Sequence, residues 1–135
     1  MSSPAALARL RATLEAEGGE LAAALVDVAP DGAGPEEASN YELVLELIRE
    51  GYLVHYGAGR MVRTEDPDLA LLAGDRLYAL GLARLASLGD LGAVTELADL
   101  IALCAQAHAA GEPEEAEAAW AALNGAGNLT PDRTL

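Results

Sequence analysis

The 135-residue sequence contains no phenylalanine, no lysine, one tryptophan and one cysteine. Without phenylalanine, a core has to be built from leucine and alanine with a few tyrosines, and helices with such small side chains pack closely. The single cysteine, Cys104, excludes an internal disulfide and fits a reducing compartment, so we expect a cytoplasmic protein. All eight basic residues are arginine, which indicates GC-rich coding bias and not a mechanism.

Positive charge is scarce, and the formal net charge is -14 at pH 7. Such a chain is repelled by phosphate backbones and anionic lipid surfaces, which makes nucleic acid an improbable partner. No window approaches the roughly 20 apolar residues that span a bilayer. The N-terminal residues also lack the charged start and apolar stretch of a signal peptide. The sequence therefore predicts no membrane span.

Capping residues and helical periodicity divide the chain into about five to six helices. Ser3 and Pro4 suit the cap and first position of a helix that Gly18 and Gly19 end. Apolar periodicity then predicts helices over residues 20–28, from 35 or 40 to about 56, 66–89, 91–110 and 113–123. No strand pattern of useful length is present. The predicted fold is all-α, an antiparallel bundle forming a single domain over residues 1–123, with a polar tail over residues 124–135.

The helix predicted between Asp66 and Gly89 is the element on which we expect the others to pack. Asp66 supplies a capping carboxylate, and Gly89 can close the helix in the left-handed conformation. The leucines and Tyr78 cover more than half of its circumference, so we expect burial on most sides. Gly74 and Gly81 share a face and would let another helix approach closely, at a cost of about 1 kcal/mol each relative to alanine.

Two adjacent charged residues interrupt this apolar helix. Asp75 and Arg76 point in directions about 100° apart, so each needs its own partner. The pair can lie at a rim in water, or Asp75 can occupy a polar pocket or a subunit interface. Both alternatives remain open from the sequence.

Three glutamates, Glu42, Glu46 and Glu50, recur at four-residue spacing and therefore lie along one helix face. A ferritin-like metal site would need glutamate three residues before a histidine, and neither His55 nor His108 has one. We expect a solvated acidic stripe, although Glu46 could be drawn inward. Neither histidine nor the cysteine belongs to a recognisable catalytic set, so we predict no catalytic residue, metal ligand or cofactor.

The run LVLELIREGYLVHY (43–56), a glycine-rich connector and the run LLAGDRLYALGLARLASLG resemble the middle of trans-isoprenyl diphosphate synthases, the polyprenyl synthase family. The first run resembles the family's helix "E-L-I-H-x-x-x-L-x-H-D-D" at Glu46, Leu47, Ile48, Leu53 and His55. The second resembles "L-x-G-D-x-L" at Leu72, Gly74, Asp75 and Leu77. The similarity covers roughly residues 15–110 and implies a truncated isoprenoid-synthase-like fold.

The sequence departs from that family at the residues that would perform its chemistry. Tyr56 and Gly57 stand where the family has magnesium-binding aspartates. Glu20 and Ala23 replace the basic residues that follow its double glycine. Arg60 and Arg63 are similar to its basic loop but cannot alone neutralise two diphosphates, and there is no room for the second aspartate-rich motif. The resemblance therefore implies a relative that is not an enzyme.

In the resembled family, the helix with the Gly-Asp motif helps to form the dimer. We therefore expect a homo-oligomer or a hetero-oligomer with another helical protein, acting by self-association or as a regulatory or accessory subunit of a prenyl diphosphate synthase. The expected interface residues are Ala70, Gly74, Asp75, Leu77, Tyr78 and Gly81. The alternative is a small-molecule module that binds a prenyl or quinone-like apolar ligand in a bundle pocket. The expected pocket residues are Tyr52, His55, Tyr56 and Arg60, with Tyr78 beside them.

Overall fold

The computed structural model describes residues 3–26 and 34–126, and the regular structure of these residues is helical. The all-α fold class is therefore confirmed. The helices are α1 (Pro4–Glu17), α2 (Gly19–Ala23), α3 (Asn40–Tyr56), α4 (Pro67–Ser87), α5 (Leu91–Ala109) and α6 (Pro113–Ala126), with a short 3-10 turn at Pro35–Glu37.

The described residues group into two compact units, one over residues 3–84 and the other from residue 85 onward. Helix α4 belongs to the first unit as far as Arg84. The single domain over residues 1–123 stays a prediction. Helix α6 continues to Ala126, three residues beyond its predicted end at residue 123. The polar tail over residues 124–135 stays a prediction, and residues 127–135 lie outside the described residues.

Side-chain caps start α1 and α4 where the sequence predicts them, and they start α3 at the later of its two predicted positions. The Ser3 hydroxyl accepts a hydrogen bond from the amide of Ala6 at 3.1 Å. At the start of α3, Ser39 and Glu42 form a capping box, in which each side chain accepts from the other residue's amide, at 3.0 and 2.9 Å. The Asp66 carboxylate accepts from the first-turn amides of α4. These helix starts follow from local sequence alone.

Helix α2 is shorter than the sequence predicts, because its downstream residues pair with another part of the chain. The predicted helix runs to residue 28, whereas the observed helix ends at Ala23. Leu25 forms an isolated antiparallel bridge with Val62, and the amide of Val26 donates to the carbonyl of Met61 at 2.7 Å. Backbone groups that bond across the bridge cannot also continue a helix. Residues 27 and 28 lie outside the described residues.

The core of the first unit is formed by residues of α1, α2, α3, α4 and the connector between α3 and α4. The members are Leu10, Leu14, Leu21, Leu43, Leu47, Val54, Met61, Val62 and Leu77. In the second unit, α5 and α6 pack together, joined by a short turn in which Gly111 has a φ of 76°. Cys104 is buried in α5.

The prediction that α4 is buried on most sides is wrong. Leu77 is fully buried and Gly74 and Gly81 are also buried, but Leu71 is 55% exposed and Leu72 is 63% exposed. Within the first unit, α3 packs against one face of α4, and the leucines on its other side remain in contact with solvent. Leucine content alone therefore overstated the burial of this helix.

Candidate functional site: a cleft beside α4

Helices α3 and α4 approach each other through three glycines. A Cβ atom at Gly51 would lie 3.0 Å from the carbonyl oxygen of Gly74, and one at Gly81 would lie 2.7 Å from Cγ1 of Ile48. A Cβ at Gly74 would overlap the imidazole of His55. The glycines are therefore required for the close crossing of the two helices.

Because of this close crossing, part of the expected interface is packed against α3 of the same chain. The room that Gly74 and Gly81 provide is filled by α3 of the same chain, and Leu77 is buried. Ala70 and Tyr78 are partly buried, whereas the Asp75 side chain is 71% exposed. A second chain could reach Asp75 and its exposed neighbours without changing the fold. An interface on α4 stays a prediction, and in this fold it involves the exposed side of the helix.

His55 is held between the two helices by a hydrogen bond and by ring contacts. Its Nε2 donates to the carbonyl of Leu71 at 3.0 Å and lies 3.3 Å from Oδ1 of Asp75. Because a carbonyl can only accept, Nε2 must carry the hydrogen. The imidazole meets Tyr78 and Tyr56 edge to face, with ring centroids 5.2 and 5.7 Å apart. These contacts give His55 a packing role.

The expected pocket residues are largely occupied by contacts with one another and with the rest of the fold. The rings of Tyr52 and Tyr56 lie 5.2 Å apart, and Tyr52 is only 3% exposed. His55 fills the space above Gly74. The Arg60 guanidinium is bound to glutamates of α3. The structure thus brings the aromatic residues together as a packed cluster.

Glu50 is the most fully buried charged residue described, with no exposed surface. Its Oε2 accepts from the amides of Met61 and Val62 at 2.8 and 2.9 Å, and its Oε1 accepts from Nε of Arg60 at 3.0 Å. Arg60 also donates from Nη1 to Oε1 of Glu46 at 2.7 Å. Together these bonds fasten the connector to α3.

The predicted solvated acidic stripe on α3 is therefore wrong, whereas the alternative that Glu46 is drawn inward is confirmed. Glu42 caps the helix, while Glu46 and Glu50 are buried. A buried carboxylate needs an opposite charge and hydrogen-bond donors, and the connector supplies both through Arg60 and two backbone amides. The only sequence signal for this burial was Arg60, a possible ion-pair partner fourteen residues after Glu46. The sequence could not show which carboxylate Arg60 would reach.

Within residues 3–26 and 34–126, no group of three or more His, Cys, Asp or Glu side chains is arranged to hold a metal ion. No helix in those ranges is long and apolar enough to cross a bilayer.

A cleft with a volume of about 710 Å³ lies on the side of α4 away from α3. It is bounded by the turn between α1 and α2, by the end of the connector and by the first half of α4. Its lining residues are Glu17, Gly18, Gly19, Glu20, Leu21, Ala23, Ala24, Arg63, Thr64, Leu69, Leu72, Ala73 and Arg76. Sequence reasoning did not find this cleft, because its walls come from segments far apart in the chain.

Two glycines shape the wall formed by α1 and α2. Gly18 and Gly19 have φ values of 68° and 62°, in the region that disfavours side-chain-bearing residues. The space where a Cβ would lie is open at both positions. The double glycine therefore turns the chain sharply between the two helices and leaves the wall of the cleft free of side chains there.

Two arginines line the cleft, and only one of them is in a salt bridge with a described residue. Nη2 of Arg76 donates to Oε1 of Glu17 at 2.9 Å, which places a salt bridge across the cleft. Arg63 donates from Nε to the carbonyl of Gly59 at 2.8 Å and forms no ion pair with a described residue. The adjacent charges Asp75 and Arg76 thus have separate partners, as their spacing on a helix requires.

Comparisons of the chain with protein-family models, curated proteins and solved structures found no match. The resemblance to trans-isoprenyl diphosphate synthases therefore rests on the sequence motifs described above, and it stays a prediction.

Proposed function

We propose that this chain is a non-catalytic helical protein that acts by binding protein, either through self-association or as a regulatory or accessory subunit. The observation that carries this proposal is the exposed apolar surface on the first half of α4. Leu69, Leu71 and Leu72 are 38%, 55% and 63% exposed within little more than one helical turn. Isolated exposed leucines are ordinary, but here Leu69 and Leu72 lie one turn apart on one side of α4, and Leu71 lies about 100° round the helix from Leu72. Apolar side chains therefore cover much of the exposed surface of this half of the helix, which is typical of an interaction surface.

The state of the charged groups supports a role without catalysis. Glu50 and Glu46 are the only charged residues buried among those described, and their contacts hold the connector. His55 donates to a backbone carbonyl. The resemblance to polyprenyl synthases suggests a prenyl diphosphate synthase as the partner if the protein forms a hetero-oligomer.

Light scattering coupled to size exclusion tests self-association. We expect the wild-type chain to form a dimer at micromolar concentration, and Leu71→Ser to shift it toward monomer. Leu103→Ser on α5 removes a leucine that is 43% exposed and serves as the matched control. A strict monomer would contradict self-association and leave the accessory role, which is tested by mixing the chain with a polyprenyl diphosphate synthase from the same organism. The absence of a mixed complex would then contradict that role.

A substitution of Gly74 is a poor test of association. A leucine there would collide with His55 inside the same chain, so loss of a dimer would not be separable from loss of the fold. Leu71 avoids this difficulty because it is already exposed, and its side chain is not part of the lining of the cleft.

The second candidate is a small-molecule binding module, and the cleft beside α4 favours it. Its volume of about 710 Å³ falls in the range of roughly 300–1,000 Å³ typical of ligand sites. An apolar ligand, prenyl or quinone-like, would contact Leu21, Leu69 and Leu72. We expect thermal unfolding to shift upward with such a ligand, with or without magnesium. No shift with prenyl diphosphates, prenyl alcohols or quinones would contradict this candidate.

A further inference from the structure

We propose that the cleft beside α4 binds a single-chain amphiphile with one carboxylate group, such as a medium-chain fatty acid. In this arrangement the carboxylate lies on the Arg63 guanidinium and the hydrocarbon chain lies against Leu69, Leu72 and Leu21. The inference rests on the second candidate function, since it specifies the ligand of that site.

Arg63 is prepared to bind an anion. Its amide donates to the carbonyl of Ala24 at 2.9 Å, which holds its backbone beside α2. Its Nε donates to the carbonyl of Gly59 at 2.8 Å, which orients the side chain. These bonds leave both Nη groups with no described partner. A guanidinium presents paired donors that match the two oxygens of a carboxylate, and its prior ordering reduces the entropy lost on binding.

The charges around Arg63 favour one negative charge on the ligand. Arg76 is already neutralised by Glu17 across the cleft. Glu20 also lines the cleft and would repel additional negative charge. A diphosphate would therefore have one available guanidinium for several charges, whereas a carboxylate would be matched by Arg63 alone.

The remaining walls suit a hydrocarbon chain. Leu69 and Leu72 are partly exposed on α4, one turn apart, and the alanines Ala23, Ala24 and Ala73 add small apolar surface. A ligand chain lying along them would cover leucine surface that water otherwise contacts. Full burial of a methylene group strengthens binding about fourfold, so affinity should rise with chain length until the cleft is filled.

The experiment compares ligands that share a ten-carbon chain and differ in the head group. Decanoate, decanol and decylamine are titrated into the full chain by isothermal calorimetry, below their micelle concentrations. We expect decanoate to bind most tightly and octanoate more weakly than decanoate. Arg63→Gln should weaken decanoate about tenfold, since one charge-assisted pair is lost, and should leave decanol unchanged. Arg63→Lys should retain part of the decanoate affinity.

Two variants make the result specific to this site. Arg84→Gln removes an exposed arginine of the same helix that does not line the cleft, and it should not change decanoate binding. Leu72→Ser should weaken decanoate and decanol alike. Urea unfolding of each variant verifies that the fold is retained.

The outcomes separate the failure of this inference from the failure of the function on which it rests. If decanol binds as tightly as decanoate and Arg63→Gln has no effect, the carboxylate assignment is wrong, while small-molecule binding stands. Tighter binding of decylamine would likewise overturn the assignment. If none of these ligands binds, the inference is wrong, and the thermal-shift series with prenyl and quinone compounds decides the second candidate separately. Sedimentation with phosphatidylcholine vesicles in the absence of decanoate binding would assign the surface to membranes instead.

Discussion

The two faces of α4 are made of similar residues but have different surroundings. The face that packs on α3 contains Gly74, Leu77 and Gly81, all buried, and each glycine admits a neighbouring group with almost no spare room. The face that lines the cleft contains Leu72 and Arg76, both exposed. A helix of alanines, glycines and leucines thus has one packed face and one face open to solvent, according to what packs beside it.

The connector that leads into α4 shows the same contrast over three residues. Arg60 is bound by two buried glutamates, whereas Arg63 is among the residues that line the cleft and has no ionic partner among the described residues. The first arginine holds the connector to α3, whereas the Nη groups of the second have no described partner. Residue type does not distinguish them. If this contrast holds, substitutions in the packed region should lower the free energy of unfolding, and substitutions on the cleft face should change it little.

The largest effect is expected in the packed region, for Glu50→Ala. Removing this carboxylate leaves Nε of Arg60 and two buried amides without their acceptor, so the free energy of unfolding should fall by about 3–5 kcal/mol. Urea denaturation measures the change. Glu65→Ala, an exposed carboxylate in the same connector, should leave the midpoint unchanged. If Glu50→Ala lowered the free energy of unfolding as little as Glu65→Ala, the proposed role of Glu50 in holding the connector to α3 would be contradicted.

Gly74→Ala tests the closeness of the α3–α4 crossing. The added methyl group overlaps His55, and overpacking of this kind typically costs about 1–3 kcal/mol, partly offset by the better helix propensity of alanine. Thermal unfolding should show a lower midpoint. In a His55→Ala background the same substitution should be better tolerated, because the overlapping ring is absent. Equal effects in the two backgrounds would contradict the assigned contact.

A smaller effect is expected for Ser39→Ala at the start of α3. The substitution removes one half of the capping box and should lower the free energy of unfolding by about 1 kcal/mol. Ser39→Asp keeps a side-chain acceptor for the Glu42 amide and should restore most of the loss. Chemical denaturation of the three proteins gives the comparison, and an alanine variant as stable as wild type would show that the cap contributes little.

The smallest effect on stability is expected on the cleft face, for Leu72→Ser. Since Leu72 is 63% exposed, the free energy of unfolding should change by no more than about 0.5 kcal/mol. Leu77→Ser, on the same helix but fully buried, is the matched contrast and should be severely destabilising. A large loss at Leu72 would mean that the cleft wall is part of the core and would remove the distinction between the two faces.

Local signals in the sequence predicted the helices well where the responsible atoms are near in the chain. The Asp66 cap acts within one helical turn, so the start of α4 could be predicted. The start of α3 was predicted at residue 35 or 40, and the Ser39 cap places it at residue 40. The same reasoning failed for α2, because Leu25 bonds to Val62 in a distant segment. It also failed for Glu50, whose burial depends on donors contributed by the connector.

The sequence by itself determined the all-α class, the helix starts and the separate partners that Asp75 and Arg76 require, because these follow from local backbone chemistry and helical geometry. Only the tertiary structure decided that Gly74 admits a histidine of the same chain, that Glu50 is buried, and that Arg63 borders a cleft. Each of these depends on segments far apart in the chain being brought together. Hydrophobic periodicity predicts that a helix has an apolar face, but it does not predict how much of that face its neighbours will cover.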